Sequence, residues 1–453
     1  MKIKNICCIG AGYVGGPTMA VISLKCPEIK ITVVDANRDK ITKWNSPNLD
    51  EIPVFEPGLK EIISETRNKN LFFSTDIDKA IENAEIIFMA VNTPTKEEGE
   101  GAGMATDLRY IESCAKDIAR VSKSDKVVVE KSTLPVRTAE KIKEILSQST
   151  NKCKFEVISN PEFLAEGTAI NDLFKSDRVL IGGEQTQSGK NAVKKLVEIY
   201  KRWIPEHKIL TVNVWSAELS KLASNAMLAQ RISSINSLSA ICEATGAEID
   251  EVSNAVGRDH RIGSEFLKVS PGFGGSCFQK DILNLVYLSK FYGLNEVAEY
   301  WHQVIKINDF QRLRIVDKIV SFTKKNKLNK EVSILGWSFK KDTNDSRESS
   351  SIYIAYELLK MNFKISIYDP KVSSKRIFAD LKSLNNNRKK LDKSIIDTHI
   401  KICSNLNDIK KPENIAVVMT EWDEFKNHDY LDSKMFLFDF RNYIDKDKTT
   451  IRF

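Results

Sequence analysis

An apolar run, Ile3 to Ile9, passes directly into Gly10-Ala11-Gly12-Tyr13-Val14-Gly15, and a helical stretch then follows to about Leu24. A lone GxGxxG says little. Here it follows a strand, opens a helix, and precedes a second strand, Ile29 to Val34, that ends in Asp35, 20 residues past Gly15. That combination predicts a βαβ unit built around a dinucleotide. The glycines admit a pyrophosphate to the helix N-terminus, and Asp35 is placed to accept a hydrogen bond from the adenosine ribose. A carboxylate there repels a 2′-phosphate, so NAD is expected over NADP, although Arg38 and Lys40 stand close by.

Further strands recur at the rhythm of a parallel sheet. Glu85 to Val91 ends in Asn92-Thr93-Pro94-Thr95, Lys126 to Glu130 ends in Lys131-Ser132-Thr133, and Phe155 to Ser159 ends in Asn160-Pro161-Glu162. In an open α/β sheet ligands lie at the carboxyl ends of the strands, so these polar tails are expected to converge. Glu162 and Glu166 are spaced to share a helix face, either as a surface pair or as part of a site.

Beyond the first half, Ser216 to Gly246 reads as one long helix, with apolar residues from Leu219 to Ile241 at 3–4 spacing and on more than one face. Such a helix should pack between domains or subunits. Lys221 and Asn225 lie four apart on it, and a lysine in that setting is expected to run its tip out to solvent. Pro271 to Cys277 is a glycine-rich loop, and Phe278 to Tyr292 reads as a helix with Gly293 as its stop. Ser276 is the expected N-cap, which puts Cys277 in a first turn where unpaired N–H groups favour a thiolate. Asp281 is one turn on, beside the sulfur, as a base would be. The plain alternative is a small buried thiol after a turn. Thr323 to Lys330 is polar and charged, as at a domain boundary. Val332–Phe339, Ser349–Met361 and Lys364–Asp369 then make a second βαβ unit, with Gly336-Trp337-Ser338 where a dinucleotide loop would need further glycines.

The bulk numbers exclude several classes. At 453 residues, 42% hydrophobic and 28% charged, the chain fits a soluble protein of two or three domains. The formal charge of +7 could suggest a nucleic-acid partner. However, nearly all of that excess sits between Lys371 and Lys393, where eight basic residues face only Asp380 and Asp392. Without interleaved aromatics, that stretch reads as an exposed, mobile insertion around Asn385 to Lys390 rather than a polyanion site. Eight cysteines with no CxxC pair and no Cys/His ligand spacing argue for a reducing compartment and against a structural zinc. The uncharged N-terminal stretch carries too many glycines for a membrane anchor, so a cytosolic protein is expected, with no membrane partner.

At this point the motifs resemble those of the NAD-dependent nucleotide-sugar dehydrogenases, the UDP-glucose/GDP-mannose dehydrogenase family, more the animal-type members than the shorter bacterial ones. The resemblance rests on Gly10 to Thr18, Val91 to Thr95, Glu130 to Thr133, Asn160 to Gly167, Gly272 to Asp281 and Phe339 to Thr343, and so covers almost the whole chain. It implies an α/β fold of two Rossmann-like doubly wound domains joined by a long central helix in an α-helical middle region. Residues 1–212 would bind NAD, 213–323 would dimerise and carry the cysteine loop, and 324–453 would bind the UDP-sugar.

The implied activity is a four-electron oxidation of UDP-glucose to UDP-glucuronate through a cysteine thiohemiacetal and thioester. GDP-mannose or a UDP-N-acetyl-hexosamine are the alternative substrates, and a non-catalytic nucleotide-binding protein is the alternative class. By resemblance Cys277 is the nucleophile, Lys221 stabilises the oxyanion beside Asn225, and Asp281 moves protons and, with Thr133 and Glu162, positions water. The NAD side would comprise Gly10, Gly12, Tyr13, Val14, Gly15, Asp35, Lys40, Val91, Thr93, Thr95, Ser132, Thr133, Glu166, Lys280 and Arg347. The UDP-sugar would meet Glu162, Phe163, Leu164, Glu166, Lys221, Asn225, Arg261, Phe266, Leu267, Lys268, Phe273, Gly274, Phe339, Lys340 and Arg441. No metal is implied, and a homo-oligomer is, either a dimer or a hexamer of dimers. The chain departs from the family pattern in having Lys40 for an arginine and Asp439-Phe440-Arg441 for Asp-Gly-Arg.

Overall fold

Strands in this protein are short and apolar, and most are buried on both faces, the condition of a parallel sheet covered by helices. The computed structural model describes residues 3–388, 391–409, 414–426 and 435–453. It divides into two compact units, one through Ser224 and the other from Asn225 to Phe453. The first holds β1 (Asn5–Ile9), β2 (Lys30–Val34), β3 (Leu71–Ser74), β4 (Ile86–Met89), β5 (Lys126–Glu130), β6 (Phe155–Ser159), β7 (Val179–Gly183) and β8 (Ile209–Asn213). Their order is β3-β2-β1-β4-β5-β6-β7-β8, parallel except for the β6–β7 pairing. The order reverses between β1 and β4, which makes a topological switch point.

Register aligns the strand ends. Ile9 pairs with Val34 and Met89, Met89 with Glu130, and Glu130 with Ser159. The residues that follow, Gly10, Asp35, Ala90, Lys131 and Asn160, are therefore brought to one edge of this sheet. Helix Gly15–Lys25 packs Met19, Ala20 and Ile22 into the core on one face, and a second cluster around Ile87, Val128 and Ile118 fills the other.

The second unit repeats the plan. β9 (Glu331–Leu335), β10 (Lys364–Tyr368), β11 (Ile400–Ile402), β12 (Ile415–Val418), β13 (Phe436–Asp439) and β14 (Ile451–Arg452) lie in the order β11-β10-β9-β12-β13-β14, all parallel. The expected strand Val332–Phe339 stops at Leu335. Gly336 turns the chain at φ 97°, and Asp369, just past β10, captures the next two amides, Trp337 N at 2.7 Å and Ser338 N at 3.0 Å. The Trp337 indole is fully buried and donates to Asp380.

One further expectation needs revision. The basic stretch is no loose insertion, because Ser374–Arg388 is a helix that buries Ile377, Asp380, Leu381 and Asn385 at 3–4 spacing. Asn385 ties its end by accepting from Leu391 N and Tyr356 and donating to Leu391 O. Residues 389 and 390 and the Lys393 side chain lie outside the described residues. The polar run from Thr323 begins as helix, the end of Asn295–Lys325, whose Lys324 and Lys325 complement the helix dipole. The long helix spans Val214–Thr245, and Gly246 at φ 81° ends it.

Asp369 also accepts from Lys371 N and Val372 N through its other oxygen. Asp369→Ala should orphan this set of amides and cost roughly 2–4 kcal/mol of stability. Thermal or urea unfolding would measure it, and a change below about 0.5 kcal/mol would mean that water replaces the carboxylate.

Candidate active site

In the first unit, the loop after β1 is shaped for close approach. Gly10 sits at φ 111°, and a Cβ there would lie 2.3 Å from the Ala90 carbonyl oxygen. A Cβ on Gly12 would meet nothing within 4 Å. The helix that follows has no capping side chain and no acid in its first turn, which leaves the positive end of its dipole without a local acid to offset it. These features fit a dinucleotide pyrophosphate. Asp35 reaches back to accept from Ala11 N at 3.0 Å, and Lys40 pairs with the same oxygen at 2.6 Å. Burial alone would raise Asp35, but the Lys40 bond and the Asn37 and Ala11 amides hold it below the usual carboxylate range. Lys40 thus neutralises the acid expected to receive the ribose. Ser132 Oγ donates to Val91 O at 2.6 Å, which joins two more of the expected NAD-side residues. Thr93 is buried, and Thr95 and Thr133 are half-buried.

A charged network sits behind the β5 and β6 tails. Lys131 Nζ lies 2.7 Å from Glu162 Oε2, with side chains only 2% and 15% exposed. The same ammonium donates to Asn160 Oδ1 at 3.2 Å and Tyr200 OH at 3.4 Å, and Tyr200 OH donates to Asn160. The other Glu162 oxygen accepts from Phe163 N and Leu164 N. Burial would lift Glu162, but the Lys131 charge and hydrogen bond, the Phe163 amide and Lys221 hold it below the ordinary carboxylate range. Burial likewise opposes the Lys131 charge, yet Glu162 leaves Lys131 above its ordinary value.

Glu162 and Glu166 do not share a helix face, because 160–165 is an extended loop. Glu56 shapes its end by accepting from Gly167 N and Ala169 N. Lys221 does not run to solvent: it is buried, its ammonium 5.1 Å from the Phe163 ring centroid, and Arg178 stacks on that ring at 3.9 Å. Glu130 is buried beside Glu218, and burial with that second carboxyl lifts it well above the usual range. Glu218 meanwhile accepts from Arg137 N and Ala139 N at the start of helix Thr138–Ser147.

In the second unit, the cysteine helix is Phe278–Phe291 and its N-cap is Cys277 itself, not Ser276. The Cys277 thiol is exposed, with Ser276 Oγ at 3.5 Å. Asp281 is fully buried one turn below; its Oδ2 accepts from Asn225 Nδ2 at 2.6 Å and its Oδ1 lies 2.9 Å from Lys280 Nζ. Burial disfavours the Lys280 charge, but Asp281 and Cys277 raise it above its ordinary value. Phe273 and Gly274 are buried, and a Cβ on Gly274 would strike the Glu348 carbonyl oxygen. Arg347 pairs with the buried Asp345 at 2.7 Å. Arg441 donates to Met419 O and Phe339 O, and Lys340 is half-buried beside them. Leu267 is buried, whereas Arg261, Phe266 and Lys268 are exposed, and Arg261 pairs with Asp259. From sequence, Lys131 is legible only as part of a polar strand tail with no role of its own, and Glu56 and Glu218 are not singled out. Lys131 left a signal, a cation directly after an unbroken buried strand.

Three domain models of one family cover the chain. The NAD binding domain of the UDP-glucose/GDP-mannose dehydrogenases matches residues 4–204, their central domain 215–310, and their UDP binding domain 333–446. UDP-glucose 6-dehydrogenase 1 of Glycine max is 54% identical over 98% of this chain and 94% of its own length, as is UDP-glucose 6-dehydrogenase 4 of Arabidopsis thaliana. Among solved structures, a UDP-glucose dehydrogenase from the archaeon Pyrobaculum islandicum aligns with a TM-score of 0.84 at 26% identity, over 99% of this chain and 97% of the other.

The Lys131–Glu162 pair carries a pH signature. The Glu162 contribution is present above its ordinary value and lost as pH falls through its depressed one. That of Lys131 is present below its ordinary value and lost as pH rises through its raised one. Lys131→Met should cost about 3–5 kcal/mol at neutral pH by stranding a buried carboxylate. The deficit should shrink on acidification, as Glu162 takes up a proton. Urea unfolding at pH 7 and pH 4 checks this, and equal deficits would assign the loss to packing instead of charge.

Proposed function

The chain belongs to the UDP-glucose/GDP-mannose dehydrogenase family, and we infer that it is an NAD-dependent oxidoreductase that converts UDP-glucose to UDP-glucuronate. The observation that carries this reading is 54% identity to UDP-glucose 6-dehydrogenases over 98% of the chain. The exposed Cys277, one helical turn from a buried Asp281 that Asn225 and Lys280 hold, supports it.

NAD, when bound, accepts one hydride from C6 in each of two oxidations. It would lie on the Gly10–Gly15 loop with its ribose toward Asp35 and Lys40. Val91, Thr93, Thr95, Ser132, Thr133, Glu166, Lys280 and Arg347 would complete that side. The chain's own part is acid–base and nucleophilic. A base takes the C6 hydroxyl proton as the hydride leaves, giving an aldehyde. The Cys277 sulfur adds to that carbonyl to form a thiohemiacetal, and loss of a second hydride and a proton leaves a thioester. Water adds to the thioester, the C–S bond breaks, and the thiol is regenerated with release of the carboxylate.

Lys221 suits the negative charge that develops on the substrate oxygen. Asp281 suits proton transfer near the sulfur, and its two partners fix its orientation. Glu162, held on one oxygen by Lys131 and on the other by two amides, suits orientation of water with Thr133. We assign the UDP-sugar to Phe163, Leu164, Phe273, Gly274, Phe339, Lys340 and Arg441, with Arg261 and residues 266–268 nearby. We retain a division into 1–212, 213–323 and 324–453 for these roles.

The long helix exposes Trp215, Leu219, Met227, Leu238 and Ile241. We read these as a contact between copies of the chain, giving a homo-oligomer, and the eight cysteines, none of them joined in a disulfide, as the mark of a reducing, cytosolic setting. Among the described residues no helix is long and apolar enough to cross a membrane.

The deciding experiment is NADH release from a panel of UDP-glucose, GDP-mannose and UDP-N-acetyl-hexosamines. UDP-glucose should dominate, with two NADH per UDP-glucuronate, and preference for another sugar would overturn the substrate assignment. Cys277→Ala should bind both ligands but form UDP-glucuronate at least tenfold more slowly, a loss of about 1.4 kcal/mol or more of transition-state stabilisation. Near-normal turnover would return Cys277 to a plain thiol. Light scattering at micromolar concentration should show a dimer or larger species, and a strict monomer would count against the helix contact.

A further inference from the structure

The loop that ends in Cys277 carries Gly272, Gly274 and Gly275 within six residues, so its backbone has more conformations to lose than an ordinary loop. Something outside the loop must hold it. In this structure that something is one face of helix Asn295–Lys325. Asn308, Gln311 and Arg312 stand at i, i+3 and i+4, hence on one stripe, and all three are buried, the first two completely.

Asn308 grips a single residue at both ends: its Oδ1 accepts from Phe273 N at 2.8 Å, and its Nδ2 donates to Phe273 O at 3.1 Å. Gln311 donates to Ser270 O at 3.0 Å. Arg312 Nη2 donates both to Phe273 O at 3.0 Å and to Glu348 O at 3.1 Å, while its Nε donates to Ser350 Oγ. The guanidinium lies 4.0 Å over the Tyr353 ring, and Asp309 neutralises it at 3.1 Å. Gly272 leaves no slack, since a Cβ there would lie 2.5 Å from Asn308 Oδ1. Downstream, Gly275 N donates to Arg347 O at 2.8 Å. The cysteine loop and the turn that carries Arg347 are thus held by one guanidinium and by each other.

We propose that Asn308 and Arg312 are positioning residues for the reaction, a clasp that sets where Cys277 stands relative to the aldehyde it must capture. The proposal rests on the reading of Cys277 as the nucleophile. A stripe of buried polar side chains is costly unless each member is satisfied. Here the groups that satisfy it are mostly main-chain atoms of the segments bearing Cys277 and Arg347. A displacement of about 1 Å at such a nucleophile costs on the order of 10²-fold in rate.

The test compares Asn308→Ala and Arg312→Lys with Lys318→Ala, a change on the same helix that breaks an ion pair with Glu243 of helix Val214–Thr245 and leaves the loop alone. Besides steady-state kcat and KM, three readouts are taken: the rate at which iodoacetamide alkylates Cys277, the NADH formed per UDP-glucuronate with an amine trap for released aldehyde, and the melting temperature. In both clasp variants the alkylation rate should change severalfold and trapped aldehyde should appear. The overall kcat should fall about 10²-fold, with KM for NAD within a few-fold of the unaltered protein and Lys318→Ala unchanged in all three. Two NADH per product, no trapped aldehyde and an unaltered alkylation rate, with activity tracking melting temperature, would overturn the proposal. So would failure of both clasp variants to fold, which would make the stripe part of the framework. Alkylation needs no substrate, so a protein inert toward UDP-glucose would refute the assigned activity and still let the clasp be judged.

Discussion

Main-chain pairing between parallel strands is the constraint on which everything else rests. Parallel neighbours must start and stop together if their hydrogen bonds are to be evenly used, and here Ile9, Val34, Met89, Glu130 and Ser159 are register partners in series. Whatever follows those residues is delivered to one edge, whether or not its own side chain has any reason to be there. The Gly10–Gly15 loop, Asp35, the Ser132-Thr133 tail and the Glu162 loop are neighbours for that reason. The second sheet applies the same rule, with Leu335 paired to Tyr368 and Val418, and delivers Gly336, Asp369 and Met419 to its own edge.

Placing polar groups at a buried sheet edge is unfavourable unless each finds a partner. The protein answers with charge where a neutral group would leave a lone pair or a proton unused. Lys131 serves a carboxylate, an amide oxygen and a phenol at once. Glu218 serves two helix-start amides while facing Glu130, whose carboxyl is lifted well above the usual range by burial and by that neighbour. None of these groups is assigned chemistry on substrate. They decide instead how firmly the groups that are assigned it can be held.

Much of this was legible in the amino-acid sequence. The βαβ units, the Asp35 spacing and the long helix follow from apolar period and glycine placement, and β5 and β6 match their expected limits because buried strands end where polar residues begin. The misreadings share a cause. Ser276 has the chemistry of an N-cap, but the backbone puts Cys277 there. Glu162 and Glu166 have helical spacing, but Pro161 and the capture of the Phe163 and Leu164 amides by Glu162 favour an extended loop. The basic stretch looked loose because its basic residues outnumber the four, Ile377, Asp380, Leu381 and Asn385, that its helix buries. Lys221, expected at the surface, is retained by an aromatic ring from another segment. Local pattern reports propensity, and contacts distant in sequence settled these cases.

The turn after β9 has a consequence for how this chain can change over generations. Where the first sheet leaves open space at Gly12, the second has Ser338, tied by its amide and hydroxyl to Asp369 and by its carbonyl to Thr420. Beside it Trp337 fills the core. Reopening that turn to a second dinucleotide would take several replacements, and each alone is harmful. Removing the indole leaves a cavity that costs about 3–5 kcal/mol, and removing Asp369 strands its amides. Single substitutions can therefore vary the surface around the second sheet far more readily than they can open this turn.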